Sequence, residues 1–185
     1  MVADPQPDRS DLAALQSGND QGLNRLMARW QQPLFHFAFR YLQNAADAKD
    51  VVTEVFVVLY RQCGRLKADT TVSAWLFTVT ANRCLNQLRW RQRHPSENWD
   101  GLEDHPATAA AEATPDHALV RQETQEQLAA AIEALPHDLK VVLLLHHYEA
   151  LSYREIAAIV NCGERGVETR LYRARQQLRK LLAQG

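Results

Sequence analysis

The sequence predicts an all-α protein of two small helical domains joined by a flexible acidic linker. Three observations lead there. Apolar residues recur at spacings of three and four through most of the chain. No alternating strand pattern of any length appears. Residues 94–116, HPSENWDGLEDHPATAAAEATPD, carry three prolines, many Ala and Thr, and no clear apolar period. The domains are therefore expected over 11–93 and 119–183, with 94–118 between them, a division that 185 residues accommodate.

In the first domain, Leu23, Leu26, Met27, Trp30, Leu34, Phe37 and Tyr41 share one helical face, with a kink expected at Pro33. Val51, Val52, Val55, Phe56, Leu59 and Cys63 repeat the pattern after Asp47–Asp50, whose carboxylates favour a helix N-terminus. Gly64–Ser73 is polar and reads as a loop, and a third helix is expected from about Ala74 to Arg93. Periodicity resumes after the linker with Leu119, Leu128, Ile132 and Leu135. Pro136 then opens a helix through Leu145 and Tyr148.

Composition narrows the function. A hydrophobic fraction of 46% with 23% charged residues is that of a soluble globular protein. Apolar runs such as Val141–Leu145 are far too short to span a bilayer, and the polar N-terminus MVADPQPDRSD does not resemble a signal peptide. Membrane insertion is not expected, and a cytoplasmic location is. Cys63, Cys84 and Cys162 form no CxxC pair, which suits a reducing compartment. An enzyme has little support: there is no Gly-rich phosphate loop and no metal-ligand spacing. His146 and His147 diverge by about 100° on a helix, so no metal or other cofactor is expected.

The net charge of −1 conceals segregation. Four arginines and no acid lie between Arg83 and Arg93, six acids and no Lys or Arg between Pro95 and Val120, and six basic residues against two acids from Glu164 onward. Two basic blocks flanking an acidic stretch suggest two contacts with one polyanion, although solvated helix faces are the alternative.

The second block follows a helix start. In LSYREIAAIV (151–160), Ser152 and Glu155 are spaced for a capping box, and Leu151 and Ile156 for a hydrophobic staple. Asn161 tolerates the left-handed conformation that ends a helix, and Gly163 is read as freeing the turn. A short helix, a tight turn and a longer basic helix make a helix-turn-helix. On that longer helix Val167, Leu171, Ala174, Leu178 and Leu181 form the core side. Arg165, Glu168, Thr169, Tyr172, Arg173, Gln176 and Arg179 face outward. Such a mixture suits phosphates and major-groove edges; a helix that packs on one side and is solvated on the other is the competing reading.

The helix AWLFTVTANRCLNQLRWRQR (74–93) sharpens the choice. Phe77, Ala81, Cys84 and Leu88 share a side that should be buried. Trp75, Asn82, Asn86, Arg89 and Arg93 fall in a narrow opposite arc. An aromatic, two amides and two arginines can stack on bases, bond their edges and hold phosphate, which suits unstacked single strands. Taken alone, Trp75 reads first as a packing residue at a helix start; the stripe as a whole shifts the balance toward nucleic acid.

With these residues in view, DAKDVVTEVFVVLY (47–60) and SAWLFTVTANRCLNQLRWRQR (73–93) resemble region 2 of bacterial sigma factors. LPHDLKVVLLLHHYEALSYREIAAIVNCGERGVETRLYRARQQLRKLL (135–182) resembles region 4. The order and spacing resemble the short extracytoplasmic-function (ECF) class of the sigma-70 family, over about residues 11–182.

The resemblance implies a detachable subunit of core RNA polymerase that recognises the −10 and −35 elements of promoter DNA and promotes strand opening. It implies −10 contacts by Asn82, Asn86, Arg89 and Arg91, beside Trp75 and Arg93 of the stripe, with loop Gly64–Ser73 cupping a flipped base. It implies −35 contacts by Arg165, Glu168, Thr169, Arg170, Tyr172 and Arg173, and polymerase contacts by Asp47, Asp50 and Glu54. Those three carboxylates also serve simply as N-terminal charge on their helix. An anti-sigma partner is common in the family, and its linker threads toward the polymerase active centre. Ala81 stands where many members have arginine, Asn86 where many have aspartate, Glu168 where Lys or Arg is usual, and Gly166 where Thr is frequent. A free-standing helix-turn-helix transcriptional regulator is the alternative, but the N-terminal half lacks the alternating βα pattern of a receiver.

Overall fold

The computed structural model describes residues 5–94 and 127–183; most of the predicted linker, and the start of the second predicted domain, lie outside the described residues. All regular structure among the described residues is helical. The order is α1 Pro5–Gln16, α2 Gln21–Leu42, α3 Ala45–Gln62, a 3-10 turn Cys63–Arg65 and α4 Val72–Arg93. After the gap come α5 over residues 127–133, α6 His137–His147, α7 Tyr153–Ile159 and α8 Glu164–Leu182.

Helix α2 is the spine of the N-terminal group. Its predicted face is buried at Leu26, Trp30, Leu34, Phe37 and Tyr41. The helix continues as one element past Pro33. It stops where Gln43 turns left-handed (φ 52°) and donates its N–H to the Phe39 carbonyl. Asn44 then caps α3, its side-chain oxygen accepting from the Asp47 N–H at 2.9 Å. Across the core, Phe77 of α4 meets Trp30 and Phe37 edge-on, with centroids 6.1 and 5.6 Å apart.

Helix α1 has no counterpart in the predicted elements, since PQPDRSDLAALQ is too short and polar for its period to stand out. Tertiary contacts hold it. Asp8 and Asp11 are buried; Asp8 pairs with Arg29 and accepts from Trp30 Nε1 at 3.1 Å. Asp11 accepts from Arg25 at 2.5 Å and Arg29 at 3.0 Å. Burial works against the Asp11 carboxylate, but the two arginines outweigh it and hold its pKa below the usual carboxylate value. Gly22 makes this close crossing feasible, because a Cβ there would lie 2.3 Å from the Asp11 carbonyl oxygen.

In the C-terminal group α6 is buried on all sides from Leu139 to Val141 and on to Leu145. It packs on α8 and α7 and also reaches across to α2, which explains an apolar run with no clear polar face. The two groups touch through specific contacts. The Tyr41 hydroxyl hydrogen-bonds His137 Nδ1 at 2.6 Å, and Thr78 Oγ1, whose proton has the Ala74 carbonyl at 2.8 Å, also lies 3.0 Å from the Ile159 carbonyl. Arg40 lies 3.6 Å from Glu149 and stacks over the Tyr148 ring. The Lys140 ammonium, 1% exposed as a residue, sits 4.4 Å above the centroid of Tyr41. Burial lowers the pKa values of Lys140 and His137 and raises that of Glu149.

Replacing Gly22 by Ala pushes α1 off α2. We expect Gly22→Ala to cost about 1–3 kcal/mol of stability, read as a lower urea midpoint.

Candidate nucleic-acid interface

Two exposed faces carry the predicted site residues. On α4, the core side is fixed by Leu76, Phe77, Ala81 and Cys84, all buried, with Leu88 half-buried beside them. Asn82, Asn86, Arg89 and Arg93 consequently emerge together into solvent. Trp75 is half-buried and packs against the core, so it joins the stripe through one edge while supporting the helix start. The helix begins at Val72, inside the expected Gly64–Ser73 loop, and the 3-10 turn occupies the start of that loop.

Arg91 does not join the stripe. It projects toward the other side of α4 and pairs with Asp47 of α3. That contact brings a residue expected to meet DNA against one expected to meet polymerase, and leaves the Asp47 side chain only 17% exposed. Asp50 is open to solvent, and Glu54 is exposed while pairing with Arg83 at 3.0 Å. Beside them stand Val57 and Tyr60, 42% and 52% exposed, giving α3 a mixed acidic and apolar outer face. Sequence periodicity missed both; their only signal was that they fall outside the buried spacing. Trp90 was missed similarly: it is exposed at the end of α4 and stacks on His94, centroids 4.9 Å apart. Thr78, one helical turn before Asn82, also belongs to the stripe's side of α4.

The second face is built by the α7–α8 unit. Ser152 receives the Glu155 N–H at 3.4 Å, while the Glu155 carboxylate accepts the Ser152 N–H at 2.8 Å, completing the capping box. Asn161 is left-handed, φ 49°. Gly163 differs from expectation: at φ −81° and ψ 162° it is ordinary extended backbone at the N-cap of α8. Glycine is needed there for no conformational reason. Val167, Leu171 and Ala174 are buried, which turns Arg165, Glu168, Thr169, Tyr172 and Arg173 outward.

Tyr172 is 64% exposed, its hydroxyl accepting from Gln176 at 3.1 Å. Glu168 has no ion pair among the described residues. Arg170 is set apart, half-buried and 3.8 Å from Asp138 of α6. The exposed set offers cationic donors for phosphate, an aromatic edge and one carboxylate that repels phosphate but accepts from a cytosine amine. Among the described residues no group of His, Cys, Asp and Glu could hold a metal ion, and no helix is long and apolar enough to cross a membrane.

Comparison with known proteins finds a match for each helical group. Residues 26–94 match the family described as sigma-70 region 2, and residues 125–178 match sigma-70 region 4. The RNA polymerase sigma-H factor of Pseudomonas aeruginosa is 29% identical over 182 residues, covering 96% of this chain and 94% of the relative. The ECF RNA polymerase sigma-E factor of Escherichia coli K12 is 30% identical over 169 residues, covering 89% and 88% respectively. Among solved structures, CnrH in complex with the cytosolic domain of CnrY superposes with a TM-score of 0.71 at 24% identity, covering 96% of this chain and 97% of that one. The sigma factor RpoE of Bartonella quintana, in complex with the anti-sigma factor NepR, gives 0.64 at 22% identity, covering 86% and 96%. At those identities the structures speak for the fold alone.

Helix α7, which packs against α8, starts on the Ser152 capping box. Ser152→Ala is expected to cost about 1 kcal/mol, measured as a lower thermal midpoint, with the Asn and Asp variants close to wild type.

Proposed function

We propose that this chain, which belongs to the ECF class of the sigma-70 family of RNA polymerase sigma factors, directs core polymerase to promoters by reading two elements with two separate faces. The observation that carries the proposal is the pairing of two exposed, polar and cationic helix faces on one chain, each held by an apolar core on its opposite side. As a family member it is a transcription initiation factor and not an enzyme.

On α4, Asn82, Asn86, Arg89 and Arg93, with the accessible edge of Trp75, take the non-template strand of the −10 element. Bases leave the duplex stack and find amide partners, an aromatic edge and phosphate-binding guanidiniums, so capture offsets the loss of pairing and stacking. Opening then follows from differential affinity for the open strand and consumes no ATP. Arg91 contributes differently from its neighbours: tied to Asp47, it reaches DNA only if that pair breaks.

On α8, Arg165, Thr169, Tyr172 and Arg173 meet the −35 duplex, and Glu168 reads a base edge. Arg170 joins them once released from Asp138. Asp50 and Glu54, with the apolar Val57 and Tyr60 between and beyond them, offer core polymerase an acidic and apolar face, with Asp47 at its margin. An anti-sigma partner is proposed on family membership. The feature supporting autonomous DNA binding instead is the helix-turn-helix alone, which leaves the α4 stripe without a purpose.

Purified chain added to core polymerase should initiate transcription on promoter fragments. Tight operator binding without any binding to core would favour the free-standing regulator. Asn82→Ala and Trp75→Ala should reduce open-complex formation by roughly 5- to 150-fold, the value of a lost base contact, and affect closed complexes less. A pre-melted −10 bubble should rescue them; failure to rescue would count against strand capture. For Glu168→Arg the expectation is an altered −35 base preference, measured across a panel of −35 variants. A uniform gain in affinity over the whole panel would refute base reading by Glu168.

A further inference from the structure

Gln16, the last residue of α1, lies at the surface, yet its side chain is fully engaged. Its Nε2 donates to the carbonyls of Cys63 and Leu66, each at 2.8 Å, across 47 and 50 positions of sequence. Cys63 opens the 3-10 turn and Leu66 caps its end, so one amide spans the whole turn. Only a group with two N–H donors on one nitrogen and no charge serves both carbonyls in this way. Surface carbonyls can be hydrated instead, so the two bonds contribute little to global stability. What they fix is direction: the chain leaves the turn extended at Leu66 (φ −75°, ψ 137°) from a point tied to α1.

The support behind Gln16 is firm. Leu12 and Leu15 of α1 are buried, and Asp8 and Asp11 are bound by Arg25, Arg29 and Trp30 of α2. Helix α1 also packs against both elements that the loop joins, the 3-10 turn and α4. At the exit of the loop Val72, the first residue of α4, is buried in the core. Between these fixed ends Lys67, Ala68, Asp69 and Thr71 face solvent, and the Thr70 N–H donates to the Lys67 carbonyl at 3.0 Å. A short exposed loop is thus held at its entry by one side chain from a distant helix.

We propose that Gln16 is a positioning residue for −10 recognition: by fixing the entry of loop 66–71, it presents that loop already ordered to a base taken out of the duplex stack. The inference rests on the −10 reading proposed above, with the loop as one wall of the base site. A loop ordered in advance loses less conformational entropy when a base docks, so both affinity and discrimination at that base rise.

The test uses Gln16→Met, which keeps an unbranched, uncharged side chain of similar length and removes both donors. Amide exchange is read by NMR on the full-length chain. Binding is read on holoenzyme assembled with core polymerase, using −10 non-template oligonucleotides with each base varied in turn. A loop variant combining Lys67→Ala, Asp69→Ala and Thr71→Ala identifies the base position that the loop reads. Gln16→Met should keep the wild-type circular dichroism and thermal midpoint, while the Leu66 and Thr70 amides exchange faster. Discrimination should fall roughly 3- to 10-fold at the loop's position, the value of a lost hydrogen bond, and hold at the others.

Unchanged exchange and unchanged discrimination would overturn the positioning role. So would an equal loss of affinity at every position with discrimination intact, which is what a merely structural residue gives. Faster exchange in Gln16→Met, with a loop variant that alters no position, would instead sink base reading by the loop and leave Gln16 as its brace alone.

Discussion

The rotation of α4 about its own axis governs most of what this protein presents to solvent. Phe77 sets that rotation by wedging edge-on between Trp30 and Phe37 of α2, with Leu76, Ala81 and Cys84 filling the space around it. A helix so pinned cannot turn without opening a cavity lined by large side chains, at a cost of several kcal/mol for an aromatic truncation. The positions of Asn82, Asn86, Arg89 and Arg93 are therefore consequences of packing on the far side. The Arg91–Asp47 pair, on neither face of that stripe, shows how sharply one residue's offset changes a partner.

The C-terminal group uses a different device. Helix α7, the first of its helix-turn-helix pair, has only seven residues, too few to persist alone. The capping box at Ser152 and Glu155 supplies the missing hydrogen bonds at its start, and the left-handed Asn161 ends it. Burial of Ile156, Val167 and Leu171 joins α7 to α8. The carboxylate of Glu168, anomalous on a basic helix, sits among exposed residues on that helix, where it costs no desolvation. Glu164 needs no further account: at the first turn of α8 the helix dipole favours a negative charge.

Between the groups the physics is less one-sided. Apolar α6 packs against α2 there, yet the Lys140 ammonium and one carboxylate oxygen of Glu149 are buried without a hydrogen bond. Packing and electrostatics oppose each other there, while within each group they agree.

Much was legible in the sequence because it depends on short-range regularities. The buried faces of α2, α3, α4 and α8, the capping box and the turn at Asn161 follow from spacing and local stereochemistry, and so do the outward sets on α4 and α8. Helix α1 escaped notice because its stability comes from Asp8 and Asp11 meeting arginines 14 to 21 residues away. Helix α2 runs on past Pro33 as one element, and Gly163 proved an ordinary extended cap. Arg91 and Arg170 could be placed on their helices, but not against Asp47 and Asp138. The sequence by itself determined the helices and their polar faces, since a period of 3.6 residues is a local property of the chain. Only the tertiary structure decided that Lys140 lies over Tyr41 and that Thr78 meets Ile159, because contacts between residues about 80 to 100 positions apart leave no periodic trace.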